Sequence, residues 1–513
     1  MHKRLIARRL SGRSNHAAFG TVAGAAALLC AFAAGSAAAQ NVDGLRDAVR
    51  QALVSNPDVG ARYNAYRAAG DGVDVARAGF LPRVDLNAEI GYGSDRITSR
   101  NPASDSYSRT GVGLSLTQLL WDGLGTQRDV ERAGHEKLAR YFELMETTEQ
   151  TALEAARAWY DVQRYRRLVA LAEDNYVQHR YASNQINERF KAGVGRGVDL
   201  EQANARHALA ESNLATEVAN LHDVTARYQR IVGIAPDKGM TAPLALLGDA
   251  LPSDQAQVLA TAVLQSPAVS ASIEALRAAR SATQLREASY QPKVEARLRG
   301  GFGNNYEGIR DQKRDATAEI VMNWNLYDGG ASQARVRQQT NLMSQAADLR
   351  DKACRDVRQT AQIAFNDTRK LTEQIALLDR NTLAIVKARD AYRQQFDIGQ
   401  RSLLDLLNAE NEVYTARRAY ANAEYDRALA YARTHAGMSQ LTTRLGLARA
   451  EVGADIAGWA AGDDAARCPA LTVDVVGTNI AELDKRVPAA PPLPRPAAAP
   501  VPAPAVPAAP PRR

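Results

Sequence analysis

Apolar and polar positions alternate with a period of two in four short stretches of this chain. Over 83–92, Val84, Leu86, Ala88, Ile90 and Tyr92 fall on one side and Arg83, Asp85, Asn87, Glu89 and Gly91 on the other. Over 293–302, Val294, Ala296, Leu298 and Phe302 oppose Lys293, Glu295, Arg297 and Arg299. A third stretch alternates through Ala316, Ala318, Ile320, Met322, Trp324 and Leu326, and a weaker one through Val112, Leu114 and Leu116. Period-2 patterning over ~10 residues predicts strands with one apolar face, about 83–93, 107–118, 293–303 and 314–326. Polar segments with turn formers, 94–106 and 304–312, join them into two hairpins. Tyr92, Tyr107, Trp121, Phe302, Tyr306, Trp324 and Tyr327 lie near the strand ends, where a membrane barrel carries its aromatic girdle.

The rest of the pattern is helical. No proline occurs over 123–188 or 329–395. A continuous helix of ~65 residues would be roughly 100 Å long, far beyond the globular average of ~11–12 residues. Leu144, Leu153, Trp159, Leu168 and Leu171 are spaced for a coiled-coil seam, with Arg, Glu and Gln between them. Asp122 and Asp328 precede the glycines that open these helices and are expected to act as N-caps.

These elements occur twice. Asn56-Pro57-Asp58-Val59 matches Ser266-Pro267-Ala268-Val269 at an offset of 210, which also relates Pro82 to Pro292, Gly91 to Gly301 and Gly93 to Gly303. The offset then becomes 206, pairing Trp121-Asp122-Gly123 with Tyr327-Asp328-Gly329, Phe190 with Phe396, Gly193 with Gly399 and Asp199 with Asp405. The four-residue slip falls between 93 and 121, where a surface loop would tolerate an insertion. The chain thus divides into a first repeat, 40–250, and a second, 251–440, each reading helix, strand, strand, long helix, helix. An appended element, 441–487, precedes a Pro/Ala-rich tail, 488–513, which holds eleven of the 20 prolines and is expected to build no core.

Charge changes the picture only at the N-terminus. The net charge is +7 and the pI 9.2, but five of the basic residues, and no acidic one, lie in 1–39. That segment has a basic start, an apolar run 17–34 and Ser36-Ala37-Ala38-Ala39, which reads as a secretory signal peptide cut after Ala39. Without it the net charge is only +2, so nucleic acid is not an expected partner. Leu29 rather than a small residue precedes Cys30, which argues against lipidation there. Cys354 and Cys468, far apart in the remaining chain, are read as separate thiols, not as a disulfide framework.

The mean hydropathy of −0.34 excludes a bundle of membrane-spanning helices, each of which needs ~20 apolar residues. The histidines His135, His179, His207, His222 and His435 form no metal-spaced pair, and no Gly-x-Ser-x-Gly occurs. No enzyme, metal or cofactor is expected. Four strands cannot close a membrane barrel, since the smallest have 8. An open edge in lipid costs several kcal/mol per unpaired backbone group. Copies of the chain must therefore join, as a dimer, trimer or tetramer; the pattern alone does not choose.

The chain resembles the TolC-like outer-membrane channel proteins over about Leu45 to Leu441. The resemblance rests on Asn56-Pro57, on Leu81-Pro82-Arg83-Val84 and Gln291-Pro292-Lys293-Val294, on Tyr327-Asp328-Gly329-Gly330, and on the run from Phe396-Asp397-Ile398-Gly399 to Asn408-Ala409-Glu410. It implies a mixed fold: a homotrimer with a 12-stranded barrel in outer-membrane lipid, continuous with an α-helical coiled-coil tunnel across the periplasm. It implies as partners a periplasmic adaptor and an inner-membrane ABC or other transporter. Asn408-Ala409-Glu410-Asn411-Glu412 and Arg417-Arg418-Ala419-Tyr420 look most like members serving type I protein secretion; multidrug efflux is the alternative client. A soluble periplasmic coiled-coil scaffold is the alternative of another class.

By the same resemblance the tunnel narrows at its periplasmic tip, where the breaks at Gly193 and Gly399 reverse the backbone and Arg401, Asp405 and Asp199 gate the entrance through an Arg401–Asp199 or Arg401–Asp405 link. Read from spacing alone, Arg401 and Asp405 are an i,i+4 pair, ~0.3–0.5 kcal/mol if exposed. Asn408 stands where some members carry a second aspartate and Phe396 where some carry tyrosine, so a strong cation-binding double ring is not expected here.

Overall fold

The computed structural model describes residues 44–99, 101–240, 244–248, 251–447, 468 and 479–488. The predicted leader and all but the first residue of the Pro/Ala-rich tail lie outside the described residues. A short helix α10 (Ile480–Asp484), capped by Asn479, belongs to a separate unit, Thr472–Arg513.

Both repeats start with the same local chemistry. Helix α1 (Leu45–Ser55) ends at Asn56, whose side chain accepts the Asp58 N–H (2.8 Å) and caps α2 (Pro57–Arg77). Helix α5 (Gln255–Gln265) ends at Ser266, which caps α6 (Pro267–Ala288) through the Val269 N–H. Proline at the first helical position has no N–H to satisfy and its φ is preset. One polar-Pro step therefore stops one helix and starts the next.

The strands β1 (Arg83–Arg96), β2 (Ser104–Trp121), β3 (Lys293–Asn304) and β4 (Arg314–Asn323) form one antiparallel sheet in the order β1-β2-β3-β4. Register keeps the apolar side chains together: Leu86 faces Leu114, Val112 faces Phe302, and Val294 faces Met322. A bulge between Leu119 and Trp121 shifts the phase of β2 so that Trp121 pairs with Val294 and joins this face. Nothing among the described residues covers it: Leu86, Ile90 and Ile320 are 71%, 88% and 72% exposed. On the opposite face lie Arg83, Glu89, Arg297 and Arg299, the three arginines bridged to acids (Arg83–Asp85 2.8 Å, Arg297–Glu295 2.7 Å, Arg299–Glu307 3.3 Å). β1 and β4 are both edges.

Two expectations about the hairpins are corrected. Tyr107 pairs with Gly93 on the polar face, and Tyr306 is buried against that same face, so neither joins a girdle. The residues inserted in the first repeat do not enlarge a loop. The linkers are 97–103 and 305–313, while the first hairpin's ladder runs on to Arg96↔Ser104. Residues that continue the alternation find ladder partners, and pairing them satisfies more backbone groups than looping them out.

Helices α3 (Gly125–Lys191) and α7 (Ala331–Asp397) are 67 residues each, and return helices α4 (Gly197–Val232) and α8 (Leu403–Gly437) pack against them. Starts and ends of α3 and α7 lie 206 residues apart, as do the starts of α4 and α8. The main core sits at mid-height. There Leu45, Ala48 and Val49 of α1 meet Ala152, Ala155 and the fully buried Trp159 of α3. Alanines on facing surfaces let the long helices approach closely, and the aromatic fills the remaining volume. Among the described residues no single helix is long and apolar enough to cross a membrane.

The chain after α8 is tied back to the bundle twice. Buried Glu149 of α3 accepts the Leu441 N–H (3.1 Å), the Thr442 N–H and the Thr442 hydroxyl, filling the open N-terminus of α9 (Leu441–Arg444). The second tie corrects the reading of the cysteines: Cys354 of α7 and Cys468 are disulfide-bonded, 114 residues apart in sequence. Spacing alone cannot show that a residue beyond α9 returns to the middle of α7. In the chain-entropy account, closing a loop of that length contributes up to about 4–5 kcal/mol. Denatured without reductant, the chain from residue 40 onwards should take up no maleimide, and with reductant it should take up two; labelling without reductant would refute the bond.

Candidate functional site

The far ends of the long helices, ~100 Å from the sheet by helical rise, are built from two copies of one turn. Helix α3 ends at Lys191; the Gly193 N–H then donates to the Phe190 carbonyl (2.9 Å) and the Val194 N–H to the Arg189 carbonyl (3.1 Å). Helix α7 ends at Asp397, with Gly399 N–H to Phe396 (3.0 Å) and Gln400 N–H to Gln395 (2.8 Å). This is the Schellman arrangement, which needs one residue in the left-handed region. Gly193 and Gly399 both take φ +75°, and a Cβ on either would meet no atom within 4 Å. Backbone conformation, not space, requires glycine there.

The helices that leave these turns start differently. Ser402 caps α8: its hydroxyl accepts the Asp405 N–H (3.2 Å) and donates to Asp405 Oδ2 (2.9 Å). Asp405 also faces the Arg401 guanidinium at 3.6 Å. Arg401 is fixed from two more sides, by Gln395 Oε1 at Nε (3.0 Å) and by the Tyr392 ring (4.6 Å to centroid). The Ser402 hydroxyl, and then the Arg401 charge, hold the Asp405 carboxyl below its ordinary range. Its support for the turn is therefore complete near neutral pH and lost only as pH falls through that lowered value. Asp199 occupies the matching first turn of α4, where Arg196 supplies no side-chain cap. Asp199 has no ion-pair partner among the described residues, so within one protomer Arg401 pairs with Asp405 and not with Asp199.

Asn408, one turn beyond Asp405, accepts a hydrogen bond from Arg206 of α4 (2.8 Å). An amide oxygen here joins the two return helices without placing a second carboxylate at the tip. Phe396 is buried among Ile186, Leu403 and Leu407, with the Arg189 guanidinium 4.9 Å from its ring centroid. Buried Glu410 takes Arg389 (2.9 Å) and Arg393 (2.5 Å), and Arg393 continues to Gln178 of α3 (2.8 Å). Further up, Arg418 meets buried Glu217 (2.7 Å) and Arg164 meets Asp426 (2.6 Å). Sequence reading missed Arg206, Arg389, Arg393 and Glu217, because each partner lies on another helix. Only the Ser402-x-x-Asp405 cap had a local signal.

At the opposite ends of the long helices, Asp122 and Asp328 act as caps from a shifted position. The helices begin at Gly125 and Ala331, so the formal N-caps are Leu124 and Gly330, both in the left-handed region. Asp122 Oδ2 accepts the Thr126 N–H and hydroxyl (both 2.7 Å); Asp328 Oδ2 accepts those of Ser332 (2.8 and 2.6 Å). A two-residue glycine-containing turn lets the carboxylate fold back onto the helix end. The Ser332 hydroxyl holds the Asp328 carboxyl below its ordinary range.

A sheet with one uncovered apolar face, set on four long helices that turn back far below it, defines a subunit of a membrane channel with a helical duct. A family model described as outer membrane efflux protein matches residues 48–233 and 258–435, and the chain belongs to that family. It is 28% identical over 407 residues to the outer membrane efflux protein BepC of Brucella suis, covering 79% of this chain and 87% of that protein. It is 26% identical to the alkaline protease secretion protein AprF of Pseudomonas aeruginosa, covering 76% and 83%. Its fold matches the CmeC outer membrane channel of Campylobacter jejuni with a TM-score of 0.69 at 14% identity, covering 81% of this chain and 89% of that one. The protein is an outer-membrane efflux or secretion duct, not an enzyme, and the soluble-scaffold reading is set aside.

Gly399→Ala should destabilise the protein by about 1–2 kcal/mol, the cost of a Cβ at left-handed φ. Because the space is open, Gly399→Asn should cost less. Thermal melting of the purified protein checks the order, and equal melting of all three forms would contradict it.

Proposed function

We propose that three copies of the chain join β4 of one protomer to β1 of the next, closing a 12-stranded barrel in the outer membrane above a shared helical tunnel. The carrying observation is the sheet itself: apolar on one side, polar on the other, and unpaired at both edges. Three turns from each repeat then meet at the periplasmic tip. Arg401, Asp405 and Asp199 form the closing ring there, with Gly193 and Gly399 allowing the backbone to reverse. Each Arg401–Asp405 pair is exposed and screened by solvent, hence weak by itself, so the ring yields readily when partners dock. Asp199, with no ion-pair partner among the described residues, is available to a neighbour's Arg401. Asn408 keeps the ring at one carboxylate per α8, which favours passage of a chain over retention of cations.

The client is an unfolded polypeptide delivered by a type I system, in which an inner-membrane ABC transporter and a periplasmic adaptor engage the tip. Similarity to a relative named for alkaline protease secretion supports this. The efflux name of BepC supports the second reading, a duct for small toxic molecules. No cofactor is required, since the partner transporter supplies the energy.

Arg401→Ala or Asp405→Ala should raise the single-channel conductance of the purified trimer in planar bilayers; unchanged conductance in both would remove these residues from the gate. Deleting the gene should abolish export of one secreted protein. Full secretion together with new drug sensitivity would favour the efflux reading.

A further inference from the structure

The sheet carries a second feature, remote from the tip, which the entrance does not use. Four glycines related by the duplication lie on its polar face, Gly91 and Gly93 in β1 and Gly301 and Gly303 in β3. In the first hairpin the missing side chains make room for cross-strand neighbours: Arg109 lies over Gly91 and Tyr107 over Gly93. In the second hairpin Gly301 makes room for the loop, and Gly303 for the β2 backbone at Thr110 and Gly111. Gly113 pairs with Gly301 and Gly111 with Gly303, and the ring of Tyr306 rests on Gly111, Gly113 and Gly301. A Cβ on any of those three would run into the ring, which is only 4% exposed on a face otherwise lined with charges.

The 305–313 loop is therefore folded back over the inner wall. Asn305 donates to the Ser108 carbonyl (2.7 Å), Tyr107 Oη donates to the Gly308 carbonyl (3.1 Å), and Arg310 pairs with Asp105. Arg299 reaches up to Glu307 (3.3 Å). Asn305, Glu307 and Asp311 hold left-handed φ angles of 48°, 53° and 63°, a conformation that side chains resist and that these contacts must offset. The hairpin ends lie opposite the helices, so this loop sits at the outer mouth of the barrel, with Tyr306 turned inward.

We propose that the β3–β4 loop is a second, outer closure of the duct, latched by Tyr306 on the saddle of Gly111, Gly113 and Gly301 and independent of the Arg401–Asp405 entrance. It rests on the barrel reading above: three such loops around one axis narrow the lumen to what passes between them. The latch joins a ring to a glycine surface with a few side-chain polar contacts and no ladder hydrogen bonds, so an emerging client displaces it without breaking the strand ladder.

Access from outside tests it on the full chain in intact cells. Ser115 lies on the inner face below the ring, paired with Asp85, and Ser115→Cys places a thiol there. A bulky maleimide-polyethylene glycol should label it slowly, while a small maleimide labels it readily. Adding Tyr306→Ala should speed the bulky reagent about tenfold, as for a site otherwise open about a tenth of the time. Gly301→Val, which evicts the ring without touching Tyr306, should do the same, and Tyr306→Phe should stay slow. Equal bulky-reagent rates with and without Tyr306→Ala overturn the closure. Absence of heat-dissociable trimers from the outer-membrane fraction, read on the same gel, overturns the barrel reading and the closure with it.

Discussion

Backbone hydrogen bonding in hydrocarbon is the constraint from which the rest of this structure follows. An N–H or C=O left unpaired among lipid tails costs several kcal/mol, with no water to offset it. The four-stranded sheet pairs its interior strands along continuous ladders, broken only by the bulge in β2, and leaves β1 and β4 open. A surface of Leu86, Ile90 and Ile320 would be a liability on a monomer in water. In a closed barrel it is the only surface hydrocarbon accepts. Association is therefore a condition of the fold, and the long helices inherit its symmetry: whatever the turns at Gly193 and Gly399 present is presented repeatedly around one axis.

The duplication shows how one plan serves two positions. Helix starts, strand alternation, Schellman turns and the Asp122 and Asp328 caps recur with near-identical geometry, because each is set by a few neighbouring residues. The copies diverge at the tip and at the hairpin loop. The second tip carries Ser402, Arg401 and Asp405 as a connected cap, whereas Arg196 in the first supplies none. The second hairpin lays Tyr306 on the inner wall, whereas the first puts its extra residues into longer strands.

A subset of the charged side chains holds helices against one another. Arg206 with Asn408, Arg418 with Glu217 and Arg164 with Asp426 link the second return helix to the first helical pair. Burying a carboxylate such as Glu217 or Glu410 is tolerable only with its arginines in place, and losing one partner strands the other at a cost of several kcal/mol. Such links fix helix register more than they add stability.

Strand periodicity, the lengths of α3 and α7, the glycine reversals and the two-copy organisation were legible in the sequence because each depends on residues within a turn or a strand of one another. The choice of residue at those sites is dictated by φ, by capping or by which face is wet. Contacts between residues a hundred or more positions apart carry no such local mark. The Cys354–Cys468 bond, the Glu149 cap on α9 and the Arg206–Asn408 link arise only when distant segments meet. Tyr306 teaches the same lesson: its place near a strand end suggested a lipid-facing ring, and only the folded hairpin turned it onto three glycines of the opposite face. Alternation tells which way a strand residue points, but a loop residue points wherever the surrounding packing leaves room.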